Sequence, residues 1–323
     1  MREREDRLIK IARGRTPSRV EAMTSARSAP RGRDRPRRSG GSFEQNFLHR
    51  ARGHIGRLAP AVTVLANRLR MRIDWDTFEA ELAAWRAAGR EPTFWWRDDD
   101  AVAWTPELQT LLSLAGETPI ALAVVPDATG PELARRLTAH EAAAVLQHGW
   151  RHANHALGTA CNSELGPERP LAERLEELAR GRKRMTELFG PRALPALVPP
   201  WNGIGHDLVP LLPSVGITGL SLCGPRRSAS PAPGLRQVNV HADLVDWRGG
   251  RSFIGEALAL FSLWRHLRHR RLGRACADEA TGLLTHHLLQ MRDIATREFI
   301  SRLILVVRAQ GGRFLRASEL FPA

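Results

Sequence analysis

Three consecutive carboxylates, Asp98, Asp99 and Asp100, follow the aromatic run Phe94-Trp95-Trp96 and Arg97. Like charges a few ångströms apart resist ionising together, so such a triad calls for a cation. About fifty residues later, His148-Gly149-Trp150-Arg151-His152 sets two imidazoles four positions apart. Two imidazoles and a carboxylate can hold a zinc-like ion and leave positions open for a water and a carbonyl oxygen. The chemistry on offer is hydrolysis by an activated water, which needs no serine or cysteine nucleophile.

Other polar residues gather where apolar runs stop. Pro199-Pro200-Trp201-Asn202 follow Val198, His241, Asp243 and Asp246-Trp247 follow Val240, and His286-His287 follow Leu283-Leu284-Thr285. In a parallel barrel, all such strand ends share one rim.

The elements that would position them alternate in type. Short apolar runs at 93–96, 120–125, 144–146, 194–198, 219–222, 237–240, 282–285 and 313–315 read as strands. Helical spacing covers 74–89, 106–114, 130–138, 170–188, 207–212, 255–268 and 293–309. Seven to eight β-α repeats predict an α/β fold, a distorted (β/α) barrel of seven to eight parallel strands. A doubly wound sheet is the runner-up, but no GxGxxG motif follows the first strand.

The net charge of +14 over 323 residues is unevenly placed. Residues 1–70 carry 17 arginines and one lysine against six acids, whereas residues 71–323 carry 30 basic and 28 acidic residues. The basicity belongs to a leader rich in Arg, Ser, Pro and Gly that predicts disorder. Residues 71–323 predict one catalytic domain. Nucleic-acid binding by that body loses its main support, and the leader is read first as a dispensable extension. Cys161, Cys223 and Cys276 form no disulfide framework. No run is long enough to span a membrane and no secretory signal is readable, so the expectation is a soluble, cytoplasmic protein.

Asp98-Asp99, His148-x-x-x-His152, Pro199-Pro200-Trp201, Asp246-Trp247 and Leu284-Thr285-His286 occur in the order of the five motifs of the polysaccharide deacetylase (NodB-homology) family. From about Phe94 to Phe321 the chain resembles that domain. The resemblance implies metal-dependent removal of an N-acetyl or similar acyl group from an amino sugar or polysaccharide, with zinc as the expected metal. It implies Asp99, His148 and His152 as ligands, Asp98 as general base and His286 as general acid. It makes Pro200 and Trp201 a groove wall, with Asp246 and Trp247 orienting and shielding His286.

The sequence departs from that pattern in ways that leave alternatives open. Asp100 stands where a Gly commonly follows the two aspartates, so base and ligand are alternatively Asp99 and Asp100. Gly149 replaces a Ser/Thr, and Val198 replaces the Arg that holds the base, a task Arg97 is placed to take over. The acid is alternatively His287, because one residue flips the side of a strand. An amidase acting on another non-peptide C–N bond, and an inactive barrel serving as a carbohydrate-binding scaffold, are the competing functions.

Overall fold

The computed structural model describes residues 73–158 and 161–322. The expectations for the basic leader, residues 1–70, lie outside the described residues.

Helix α1 (Trp75–Ala87) opens the described chain. Asp74 caps it by accepting the Thr77 amide, and Phe78, Leu82 and Trp85 line its buried face. Then come β1 (Thr93–Ala101), α2 (Pro106–Ala115), β2 (Ile120–Val124), α3 (Pro131–Leu137), β3 (Ala143–His148), α4 (Leu171–Phe189) and β4 (Ala193–Val198). Proline at the first turn of α2 and α3 sits where no intrahelical amide is needed. The second half has shorter strands: β5 (Gly219–Leu220), β6 (Arg236–Gln237), β7 (Ala242–Asp243), α5 (Glu256–Arg271), β8 (Thr281–Thr285), α6 (His287–Gln290), α7 (Ile294–Ala309), β9 (Arg313–Phe314) and α8 (Ala317–Leu320).

Every pairing between these strands is parallel, in the order β6-β5-β4-β3-β2-β1-β8-β7, with β9 added beside the start of β1. Residues 236–243 join the two edges. β6 pairs with β5 and β7 with β8, and in between the Val238 and Val240 amides donate to the Leu220 and Leu222 carbonyls. The sheet thus curls into the distorted α/β barrel the sequence predicts.

Alternation along the strands divides the core in two. Trp95, Ala123, Leu146, Val198, Val240, Leu284 and Phe321 pack inside the barrel. Phe94, Trp96, Leu122, Val124 and Val145 face outward, against Leu108, Leu260, Phe299 and Leu303 of the helices.

Three local expectations change. The predicted strand at 237–240 is split into β6 and β7, because this segment leaves β5 for β8 along its length. β1 runs through Ala101, so the acidic triad lies within the strand and not beyond it. The predicted helix at 207–212 is a 3-10 turn, Val209–Val215, because Pro210 and Pro213 lack the amides an α-helix would use. Among the described residues no helix is long and apolar enough to cross a membrane, and the three cysteines are free.

Candidate metal centre

β1 delivers its triad through a bulge. Asp98 pairs with Leu122 and Ala101 with Val124, so three steps along β1 oppose two along β2. Asp100 absorbs the extra residue at a φ of 70°. The left-handed region costs most residues about 1–2 kcal/mol but Asp visits it more readily, and a bulge re-aims the side chain that carries it. Before the bulge, alternation sets Arg97 and Asp99 on the barrel side with Trp95. Asp98 falls on the helix side with Trp96.

His148 ends β3 and is buried. His152 follows on a turn, not a helix, with φ 56°. Gly149 makes this turn possible: its φ is 57°, and a Cβ there would lie 1.9 Å from a Glu164 oxygen and 2.7 Å from Pro200. Buried Glu164 then holds the turn, accepting the Trp150 amide at 3.1 Å and the Arg151 amide at 2.6 Å.

Asp100, His148 and His152 converge. Their ligand atoms lie within 4.8 Å of one another, with Asp100 Oδ1 3.1 Å from His148 Nε2 and 3.2 Å from His152 Nε2. The His148 Nδ1–H donates to the Val198 carbonyl at 2.8 Å, which leaves a lone pair on Nε2 facing a carboxylate oxygen. Two acceptors at that distance require a proton or a cation between them. Burial works against charge on both groups, yet the Asp100 hydrogen bond and the Asp99 and Asp100 charges raise the His148 pKa. Likewise His152, His148 and His286 hold Asp100 well below the usual carboxylate range despite its burial. This donor set fits a divalent metal that takes nitrogen and oxygen ligands.

The expectation that Asp99 belongs to this set does not match the geometry. Its carboxylate is gripped by Arg97, Nε to Oδ1 at 2.9 Å and Nη2 to Oδ2 at 3.0 Å. The buried guanidinium also donates to Asn202 Oδ1 and to the hydroxyl and carbonyl of Ser221. Arg97 thus reaches Asp99 from within β1, whereas Val198 is buried in the barrel core.

Asp98 likewise departs from its expected place as the base. It faces the helix layer, where it accepts the Thr285 hydroxyl at 2.6 Å and the His287 Nδ1–H at 2.5 Å. His287 is thereby turned away from the metal cluster, while His286 lies near enough for its charge to favour ionised Asp100. The exposed Trp247 ring meets His286 edge-on at 4.9 Å, and its indole N–H donates to Asp243 Oδ2. Asp246 accepts the Arg248 and Gly249 amides and so stiffens its own loop, leaving the holding of Trp247 to Asp243. Pro200 backs the Gly149 turn, and Trp201, at φ 55°, lays its ring 4.2 Å from that of His152.

Four of the five non-glycine residues with positive φ among the described residues, Asp100, His152, Trp201 and Asn202, lie in this one site. Such strain persists where surrounding structure enforces it, and it marks functional sites. Glu164 and Ser221 give no local signal in sequence, since they act on residues 14 and 124 positions away.

A second donor group, His241, His266 and Glu279, lies at the start of β8, opposite the rim. His241 Nδ1 accepts the Gly282 amide at 2.9 Å, so its Nε2 carries the proton and points it at Glu279. The two rings stack at 3.3 Å with planes only 13° apart, and the proton on His241 Nε2 occupies the lone pair that a cation would need. Burial pushes His266 down to about 3 and lowers His241 as well.

No family model matches the sequence, and no curated protein matches it. Among solved structures, a family 4 acetyl xylan esterase from Clostridium thermocellum in complex with a cobalt ion is 13% identical, over 71% of this chain and 90% of its own, with a TM-score of 0.43. The chitin deacetylase of Colletotrichum lindemuthianum is 14% identical over 72% and 88%, with a TM-score of 0.43. A CE4 family pseudoenzyme from Bacillus anthracis is 12% identical over 72% and 66%, with a TM-score of 0.48.

Proposed function

We propose that this chain is a metal-dependent hydrolase that removes an N-acetyl or similar acyl group from an amino sugar or polysaccharide. The observation that carries the reading is the lone pair of His148 Nε2, aimed at the Asp100 carboxylate beside His152, one residue from an arginine-held Asp99. The five motifs keep their order when the first is read one residue later. Asp99 then takes the base position, Asp100 the ligand position, and Ala101 the position of the small residue that follows. The departures that favoured an inactive scaffold lose their force in this register, because Arg97 supplies the missing guanidinium from within β1.

Asp100, His148 and His152 are the residues that would hold the cation, zinc being the first choice for an N₂O donor set. Held there, a divalent cation supplies Lewis acidity, making a water acidic and opposing charge on the acyl oxygen. Asp99 takes the proton from the attacking water. Arg97 hydrogen-bonds its Oδ2 and only pairs ionically with Oδ1, which leaves Oδ1 without a hydrogen bond and able to accept the proton. An amine leaves poorly unless protonated, and His286 is the residue placed to donate to it. Trp247 packs against the His286 ring and shields it from bulk water, and Trp201 forms a wall beside His152.

Turnover of acetylated glucosamine oligomers by the full chain, with zinc or after chelation, tests this reading. The expected result is metal-dependent release of acetate, lost about 10²–10⁴-fold in Asp99→Asn while zinc stays bound. Release that survives chelation, or none with zinc, cobalt or nickel present, would overturn it.

A further inference from the structure

The geometry points to Asp98, the carboxylate that faces away from the metal centre, as a positioning residue for the acid His286. The inference rests on the hydrolase reading above.

His286 has an unusual problem of orientation. Its Nδ1 is buried without a hydrogen-bond partner, and Asp246, three residues past the end of β7, spends its carboxylate on loop amides. No carboxylate bonded to the ring fixes its direction. The residues on either side of it, however, are both tied to Asp98. Thr285 donates its hydroxyl to Asp98 Oδ2 at 2.6 Å, and His287 donates Nδ1–H to Asp98 Oδ1 at 2.5 Å. Asp98 and Thr285 are direct register partners of β1 and β8, and the Trp96 indole N–H closes the set on the Thr285 hydroxyl at 2.9 Å. The His286 amide is anchored separately on Gln290 Oε1.

Because neighbouring side chains point to opposite faces of extended backbone, fixing Thr285 and His287 on the helix side fixes His286 on the barrel side. Its φ of −134° and ψ of 95° are extended, at the junction of β8 and α6. A single carboxylate thus sets the direction of the acid by gripping both flanking side chains. Two charge-assisted bonds to the same group are short and directional, and they lie among buried residues. An apolar side chain on this helix-facing position would join the surrounding core without the cost of a desolvated charge. The two oxygens of the carboxylate instead meet the two residues that bracket His286.

The test compares two substrates with different needs for an acid. An acetylated glucosamine oligomer must have its leaving amine protonated, whereas 4-nitrophenyl acetate releases a phenolate that needs no proton. In the zinc-loaded full chain, Asp98→Asn is expected to lower kcat on the amide about 100-fold, in the range of a general-acid contribution, and on the ester by less than about threefold. Zinc affinity measured by calorimetry should be unchanged. Asp98→Asn added to His286→Ala should cost nothing further, because both act through one group. In metal-free protein the His286 ring resonances should shift and broaden in Asp98→Asn.

Equal losses on both substrates, weakened zinc binding, or a loss additive to that of His286→Ala would overturn the proposal. If Asp98→Asn does not fold, Thr285→Val should reproduce the amide-selective loss and Thr285→Ser should restore turnover; equal behaviour of the two would overturn it. An unaltered protein inactive on both substrates with zinc would refute the hydrolase reading instead, and unshifted His286 resonances in Asp98→Asn would refute the positioning role by itself.

Discussion

Three adjacent aspartates in one strand do three different things, and their differences come from direction alone. Asp98 faces the helix layer, Asp99 faces an arginine in the barrel, and Asp100 is swung by a bulge onto two histidines. Sequence located the cluster, the two histidines and His286, but not the register. Alternation predicts the faces of Asp98 and Asp99, whereas the extra residue at Asp100 leaves no mark in composition. Proton competition follows from the raised His148 pKa. A cation needs the Nε2 lone pair, so binding displaces a proton wherever His148 is protonated. Zinc affinity should therefore fall as pH drops through a value above the ordinary imidazole 6.5, with proton release seen by calorimetry in buffers of different ionisation enthalpy. An affinity flat between pH 8 and 6 would contradict this.

At the scale of elements, the His148–His152 turn shows why the site is only partly legible in sequence. Gly149 looked like the loss of a hydroxyl; in the structure it is the one residue that fits between Glu164 and Pro200. Its anchor, Glu164, sits on a loop with no periodic signal, and only folding brings it to the turn. Gly149→Ala should cost stability from both backbone and clash, of order 2–4 kcal/mol, and weaken zinc binding at least tenfold. Gly116→Ala is the control. It has a similar φ of 54° but nothing within 4 Å of the added Cβ, so it should cost about 1–3 kcal/mol from backbone strain alone and leave zinc affinity alone. Equal effects of the two on metal binding would show that the turn does not position the ligands.

The whole barrel was readable from the alternation of apolar runs with helical stretches. Its closure was not: the run at 237–240 reads as one strand, whereas the structure splits 236–243 into two short strands on different neighbours, β6 on β5 and β7 on β8. That closure has a weakness in acid. Glu279 accepts the Arg226 and Asn239 amides and faces His241 and His266. His266 is lowered to about 3 from 6.5, so below pH 6.5 the unfolded chain binds a proton that the folded chain refuses. Glu279 is held below its ordinary 4.5, although burial opposes ionisation, by the nearby His241 and His266 rings at 3.6 and 3.7 Å and by the Arg226 amide that it accepts. Its contribution is present above pH 4.5 and lost below. Both effects act in the same direction. Urea midpoints should therefore fall steadily from pH 6.5 downward, and a midpoint constant to pH 4 would exclude the cluster as the cause. At the opposite rim, the fold brings together residues from β1, the turn after β3 and the end of β8. The central claim is that this convergence makes a metal site with Asp100, not Asp99, as its carboxylate ligand. Zinc titration of the unaltered protein, Asp99→Ala and Asp100→Ala by calorimetry tests it most directly. One zinc per chain in the first two and none in Asp100→Ala is the predicted result; binding lost in Asp99→Ala and kept in Asp100→Ala would contradict it.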